Sequence, residues 1–89
     1  MKDLVLHVKR EYFEAIKDGS KPREFRLRTD YWTKRLQGRE YSGVQIHCGY
    51  PPCNDKSRIL RRPWRGYEFL RITHKHFGIY PVEVYAIVL

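Results

Sequence analysis

Acidic residues are what this sequence has too few of. There are 10 Asp+Glu against 18 Lys+Arg, a formal net charge of +8 at pH 7. Self-repulsion of that size weakens the compact state, so the excess points to a polyanionic partner or serves solubility alone. Cysteine is scarce too. Cys48 and Cys53 are too few for a disulfide framework and read as free thiols in a reducing cytosol. No run is long and apolar enough to span a bilayer, and no membrane partner is expected. Met1 is followed by Lys2, Asp3 and a strand-like run, without the apolar stretch and small residues of a secretory leader. A cytoplasmic location is the resulting expectation. Repeats, low-complexity tracts and linkers are also missing, so residues 1–89 read as a single domain, a monomer by default. There is no phosphate-cradling glycine loop and no serine nucleophile elbow.

Apolar material is sufficient. The hydrophobic fraction is 42% and the aromatic fraction 15%, above what a disordered chain carries. An 89-residue chain can bury only a thin core. Residues 3–8 alternate, with Leu4, Leu6 and Val8 on one face and Val5 and His7 on the other. Residues 9–18 follow with Tyr12, Phe13 and Ile16 at helical spacing. Gly19 stands where a helix end favours a left-handed residue, and Pro22 blocks continuation.

Residues 23–28 alternate again, Phe25 and Leu27 against Glu24, Arg26 and Arg28, a strand with one apolar and one charged side. Residues 31–37 read as a short helix or turn ending at Gly38, and residues 44–48 as a strand. Residues 50–56 form a loop around Pro51, Pro52 and Asn54. Strands are expected at 57–61 and 67–74, with a turn at 62–66 between them, and at 82–89. The expected fold class is α+β, a small β-barrel of about five or six strands with one N-terminal helix and one or two short helical turns. Closing the sheet hides its edges.

The passage from helix to second strand reads Gly19-Ser20-Lys21-Pro22-Arg23-Glu24-Phe25-Arg26, or G-x-K-x-x-E-x-R. Lys21 stands at the mouth of the strand, where a flexible ammonium reaches a phosphate. Glu24 and Arg26 are two apart on a strand and share a side. Together they either close a structural salt bridge or read a base edge, since Glu accepts from an amino group and Arg donates to acceptors. Here the chain resembles the activating-signal-cointegrator homology (ASCH) family, with the first helix and the closing strand in matching order. The resemblance implies a PUA-like barrel with a ligand cleft beside the motif Lys and Glu. It implies binding of RNA or another single-stranded nucleic acid. Some family members are ribonucleases, and one branch hydrolyses an acetylated cytidine. That branch carries Thr where Glu24 stands here, and a Glu from a later helical segment that this sequence lacks. If the cleft is catalytic, Lys21 and Glu24 are its candidates.

Residues 56–71 hold Lys56, Arg58, Arg61, Arg62, Arg65 and Arg71 with Glu68 as the only acid, and Trp64, Tyr67 and Phe69 between them. Cations attract phosphates and rings stack on bases. Arg61, Arg62 and Arg65 flank the expected turn as a mobile phosphate clamp, with Trp64 exposed and Phe69 in the core. Tyr31 and Trp32 with Lys34 and Arg35 form a second cluster, one of its rings core. Arg28 and Tyr50 complete the expected nucleic-acid footprint with Lys21, Arg26, His74 and His76. His47, His74 and His76 suit metal-free RNA cleavage, which needs a base, an acid and a cation such as Lys21. A structural or exposed histidine is the alternative for each, and His74 and His76 would share a strand face. His47, Cys48 and Cys53 lack a fourth ligand, and adjacent His47 and Cys48 face opposite sides, so neither a metal nor a cofactor is expected.

Overall fold

The structure is a computed structural model that describes residues 2–50, 55–75 and 77–89. It has an α+β fold of six strands in two sheets with two helices. The elements run β1 (Leu4–Val8), α1 (Arg10–Asp18), β2 (Arg23–Leu27), α2 (Asp30–Leu36), β3 (Gly43–Cys48), a 3₁₀ turn (Lys56–Arg58), β4 (Ile59–Pro63), β5 (Tyr67–Ile72) and β6 (Val82–Val88). The first sheet has the order β1-β3-β4 and the second β2-β6-β5. Among the described residues no ladder joins the two sheets. Among the described residues no helix is long and apolar enough to cross a membrane.

β1 runs parallel to β3, with Leu6 opposite Ile46 and His7 opposite His47. Alternation turns Leu4, Leu6 and Val8 inward beside Val44, Ile46 and Cys48. Cys48 is a buried free thiol, and His47 faces the other way as expected of its neighbour. α1 adds Phe13 and Ile16, and α2 adds Leu36. β6 is central to the second sheet and buries Val84, Tyr85, Ala86 and Ile87 in succession, so both its faces are covered. Each fully buried aliphatic side chain of this kind contributes roughly 2 kcal/mol.

Local chemistry sets the ends. Gly19 caps α1 at φ 89°, its N–H donating to Ile16 O. Thr29 caps α2, its hydroxyl accepting from Trp32 N at 3.3 Å. The Tyr85 hydroxyl meets Thr33 Oγ1 at 2.6 Å and ties α2 to the second sheet.

Several expectations are corrected. β2 is inverted relative to a strand that buries its apolar side: Glu24 is buried while Leu27 is exposed. Glu24 and Arg26 pair with Ile87 and Tyr85, so they share the sheet face that packs on the core. The expected strand at 57–61 starts later, at Ile59, after the 3₁₀ turn, and continues to Pro63. β4 and β5 are not a hairpin across a turn at 62–66, because they belong to different sheets. β5 ends at Ile72, so His74 stands beyond the strand and the shared-face reading with His76 does not apply. His76 itself, Cys53 and most of the proline loop lie outside the described residues.

Candidate functional site

β1 and β2 each form an edge of their sheet. A cleft of about 520 Å³ opens beside these edges, and Lys21, Glu24, Arg26, Tyr50 and His74 all line it. The cap at Gly19 turns the chain so that Lys21 N bonds Ala15 O at 3.0 Å, which seats Lys21 against α1 at the start of β2.

The floor is a charged trio. Glu24 Oε2 accepts from Arg26 Nη2 at 2.9 Å, and Glu24 Oε1 lies 3.6 Å from Lys21 Nζ and accepts from Phe25 N at 3.2 Å. Side-chain exposure is 14% for Lys21, 8% for Glu24 and 22% for Arg26. A carboxylate so buried needs this neutralisation. Two cations against one anion leave the floor with a net positive charge. Arg26 Nη2 also donates to His7 O at 2.9 Å, while Arg26 Nε is buried without a hydrogen-bond partner among the described residues.

The walls are rings. Lys21 Nζ lies 4.6 Å from the Phe25 ring centroid and 5.1 Å from that of Tyr12. The Arg26 guanidinium lies 5.1 Å from the Trp32 ring. Tyr50 stacks on His7 at 4.1 Å with 20° between planes. His74 is 5.9 Å from Tyr12 and from Phe77. His7 Nδ1 bonds Gly49 O at 2.8 Å, so that nitrogen donates. A flat ligand with hydrogen-bond acceptors on its edge fits such a place: rings for its faces, cations for its edge.

The rest of the expected footprint is elsewhere. None of Arg28, Arg61, Arg62, Trp64 and Arg65 lines the cleft. Arg28 pairs with Glu83 at 3.6 Å and covers the Phe69 ring at 4.6 Å. Arg61 and Arg62 do not flank a turn but lie within β4. β4 holds them opposite Gln45 and Val44, Arg61 reaching Asp3 at 3.4 Å and Arg62 reaching Ile16 O at 3.4 Å. Arg65 is exposed in the connection to β5. The expectations for two rings exchange places. Trp64 is half-buried against the core and the Tyr41 ring, whereas Phe69, on edge strand β5, is 53% exposed. Of the second cluster, Trp32 packs against the core and Tyr31 is exposed.

His7, Tyr12 and Phe25 line the cleft and fall outside the expected footprint, and Trp32 joins them from the second cluster. His7 was legible only as an outward position on a strand, and the pairing that sets it beside Tyr50 is tertiary. Among the described residues no three His, Cys, Asp or Glu side chains gather as a metal site. Burial, then repulsion from His7 and Arg61, holds His47 below the ordinary imidazole range. No family model, curated protein or solved structure matches the chain.

Proposed function

We propose that this chain binds single-stranded RNA, with one nucleotide held in the cleft over Lys21, Glu24 and Arg26. The observation that carries the reading is the trio itself, two cations sharing one buried carboxylate on the floor of a ring-walled cleft. Unstacked bases in RNA are recognised by stacking on aromatic or guanidinium planes and by hydrogen bonds to their edges. The net charge of +8 supplies the long-range attraction to phosphate. On this reading the two sheets are the halves of a PUA-like barrel of the ASCH kind, joined at the β1 and β2 edges by Arg26 rather than by a ladder. The RNA partner is cytoplasmic, and no metal or cofactor takes part.

A second reading, metal-independent RNA cleavage, is favoured by His7 and His74 lining the same cleft as Lys21. With His7 Nδ1 donating to Gly49 O, the neutral ring keeps Nε2 as a base. An acetylcytidine-type amidohydrolase finds less here. Glu24 is the only carboxylate lining the cleft among the described residues, and it is engaged by both cations.

The test is incubation of the protein with a labelled single-stranded RNA beside Lys21→Ala, resolved on native and denaturing gels. A salt-sensitive shift with intact RNA, weakened in the variant, is the expected result. Cleavage by the wild type alone makes the cleft a ribonuclease site. No shift at low salt overturns RNA binding.

A further inference from the structure

The alternation that buries Leu6, Val8, Ile46 and Cys48 turns His7 and His47 to the outer face of the first sheet. Their rings meet edge to face at 5.1 Å. Tyr50, 83% exposed, stacks on His7. On β4, Arg61 stands opposite Gln45 on this same face, its side chain 71% exposed. Asp3 Oδ2 accepts from Gln45 Nε2 at 2.8 Å, and Gln45 Oε1 accepts from His47 Nε2 at 3.0 Å. Hydrogen bonds thus hold the polar side chains of this face in place. The depressed imidazole of His47 reflects partial burial first, then repulsion from His7 and Arg61.

His7 and Tyr50 also line the cleft, so this row begins where the cleft ends. We infer that the outer face of β1, β3 and β4 is a second nucleic-acid contact, taking the nucleotides next to the base in the cleft. A base stacks on the exposed Tyr50 ring or on His47, and a phosphate pairs with Arg61. The inference rests on the cleft reading, which it extends from one nucleotide to a short track. His7 and Arg61 are two strand spacings apart and two residues out of register, roughly 12 Å, so the track crosses the strands on a diagonal. Stacking rings beside a guanidinium suit single-stranded nucleic acid, because every base has a face to stack and every linkage a charge. An acidic peptide would engage Arg61 but leave the rings of Tyr50 and His47 unused.

The test is affinity for a short labelled oligouridylate, measured for the full chain and for Tyr50→Ala, His47→Gln, Arg61→Ala, Lys21→Ala and Arg39→Ala. Arg39 is an exposed cation after α2 and controls for loss of charge alone. Tyr50→Ala is expected to weaken binding about fivefold or more. Arg61→Ala is expected to lower the salt slope by about 0.7, the value for one single-strand phosphate, and to weaken binding more than Arg39→Ala does. The replaced side chains on this face are exposed or half-buried, and unchanged melting temperatures show that the variants are folded. Wild-type affinity in Tyr50→Ala, His47→Gln and Arg61→Ala, with binding weakened in Lys21→Ala, overturns the outer face and leaves the cleft standing. Wild-type affinity in Lys21→Ala overturns the cleft and with it a track that begins there. No binding by the wild type overturns both.

Discussion

One nitrogen of Arg26, Nη2, donates both to the Glu24 carboxylate on its own strand and to the His7 carbonyl oxygen on β1, each at 2.9 Å. Because β1 and β2 are edges of different sheets, this side chain bridges a gap that no ladder closes among the described residues. Arg26 therefore holds the floor of the cleft to the strand that carries His7. The same geometry explains the inversion of β2. Its charged side turns inward because it has something to bridge, and its apolar side is left partly exposed.

Glu24 is the only anion between two cations, so its removal is expected to cost more than an ordinary polar substitution. In Glu24→Ala, Lys21 and Arg26 face each other with restricted access to water. Breaking a buried pair in this way costs about 3 kcal/mol. Chemical denaturation of the two proteins checks the value. A loss below about 1 kcal/mol would place the trio among weak surface pairs.

Lys21 has a different expected signature. Among the described residues its ammonium pairs with one carboxylate, at 3.6 Å, and otherwise faces rings. Lys21→Ala should thus weaken RNA binding about tenfold, the loss of one charge-assisted contact. It should also reduce the slope of log affinity against log salt by about 0.7. Titrations at several salt concentrations check both. An unchanged slope with weaker binding would mean that Lys21 contacts a base and not a phosphate.

Element by element, most of this fold was legible in the sequence. The alternation of Leu4, Leu6 and Val8 and the Phe13–Ile16 spacing each specify a buried face directly, and the structure buries those faces. The glycine after α1 is equally local, since only backbone geometry decides it. Where periodicity and partner disagree, sequence reading fails. β2 alternates cleanly, yet which side turns inward depends on Arg26 finding His7 across the gap. Trp64 and Phe69 exchange their expected places because edge position and sheet membership, not neighbouring residues, set their exposure. In the site, Lys21, Glu24 and Arg26 lie within six positions and were found together. His7 on β1, Trp32 on α2 and Tyr50 in the bend after β3 come from separate parts of the chain, and only Tyr50 belongs to the expected footprint. The arginine-rich stretch looked like one patch in sequence but divides between two sheets.

Gly19 offers a test of local strain. Its φ of 89° disfavours any side chain, yet a Cβ built there meets no atom within 4 Å. Gly19→Ala is therefore expected to destabilise through the backbone alone, by about 1 kcal/mol. Thermal unfolding gives the number. The same substitution should also weaken RNA binding slightly, because the turn at Gly19 sets the position of Lys21.

His47 predicts how stability follows pH. In the folded chain it takes up a proton at lower pH than the ordinary value of 6.5, through burial first and repulsion from His7 and Arg61 second. Unfolding removes both causes. Between the folded and unfolded values the unfolded chain binds more protons, so stability rises with pH across that window. The contribution is fully present above 6.5 and is lost as pH falls below it toward the folded value. His7 from β1, Arg61 from β4 and Asp3, which shares Gln45 and Arg61 as partners, are the charged or titratable neighbours on this face. His47→Gln keeps a polar group beside Gln45 and removes the titration. Denaturation of both proteins from about pH 8 to about pH 5 isolates its share as the difference between two curves. The variant should lose less stability on acidification than the wild type. Parallel curves would assign the acid sensitivity to another group.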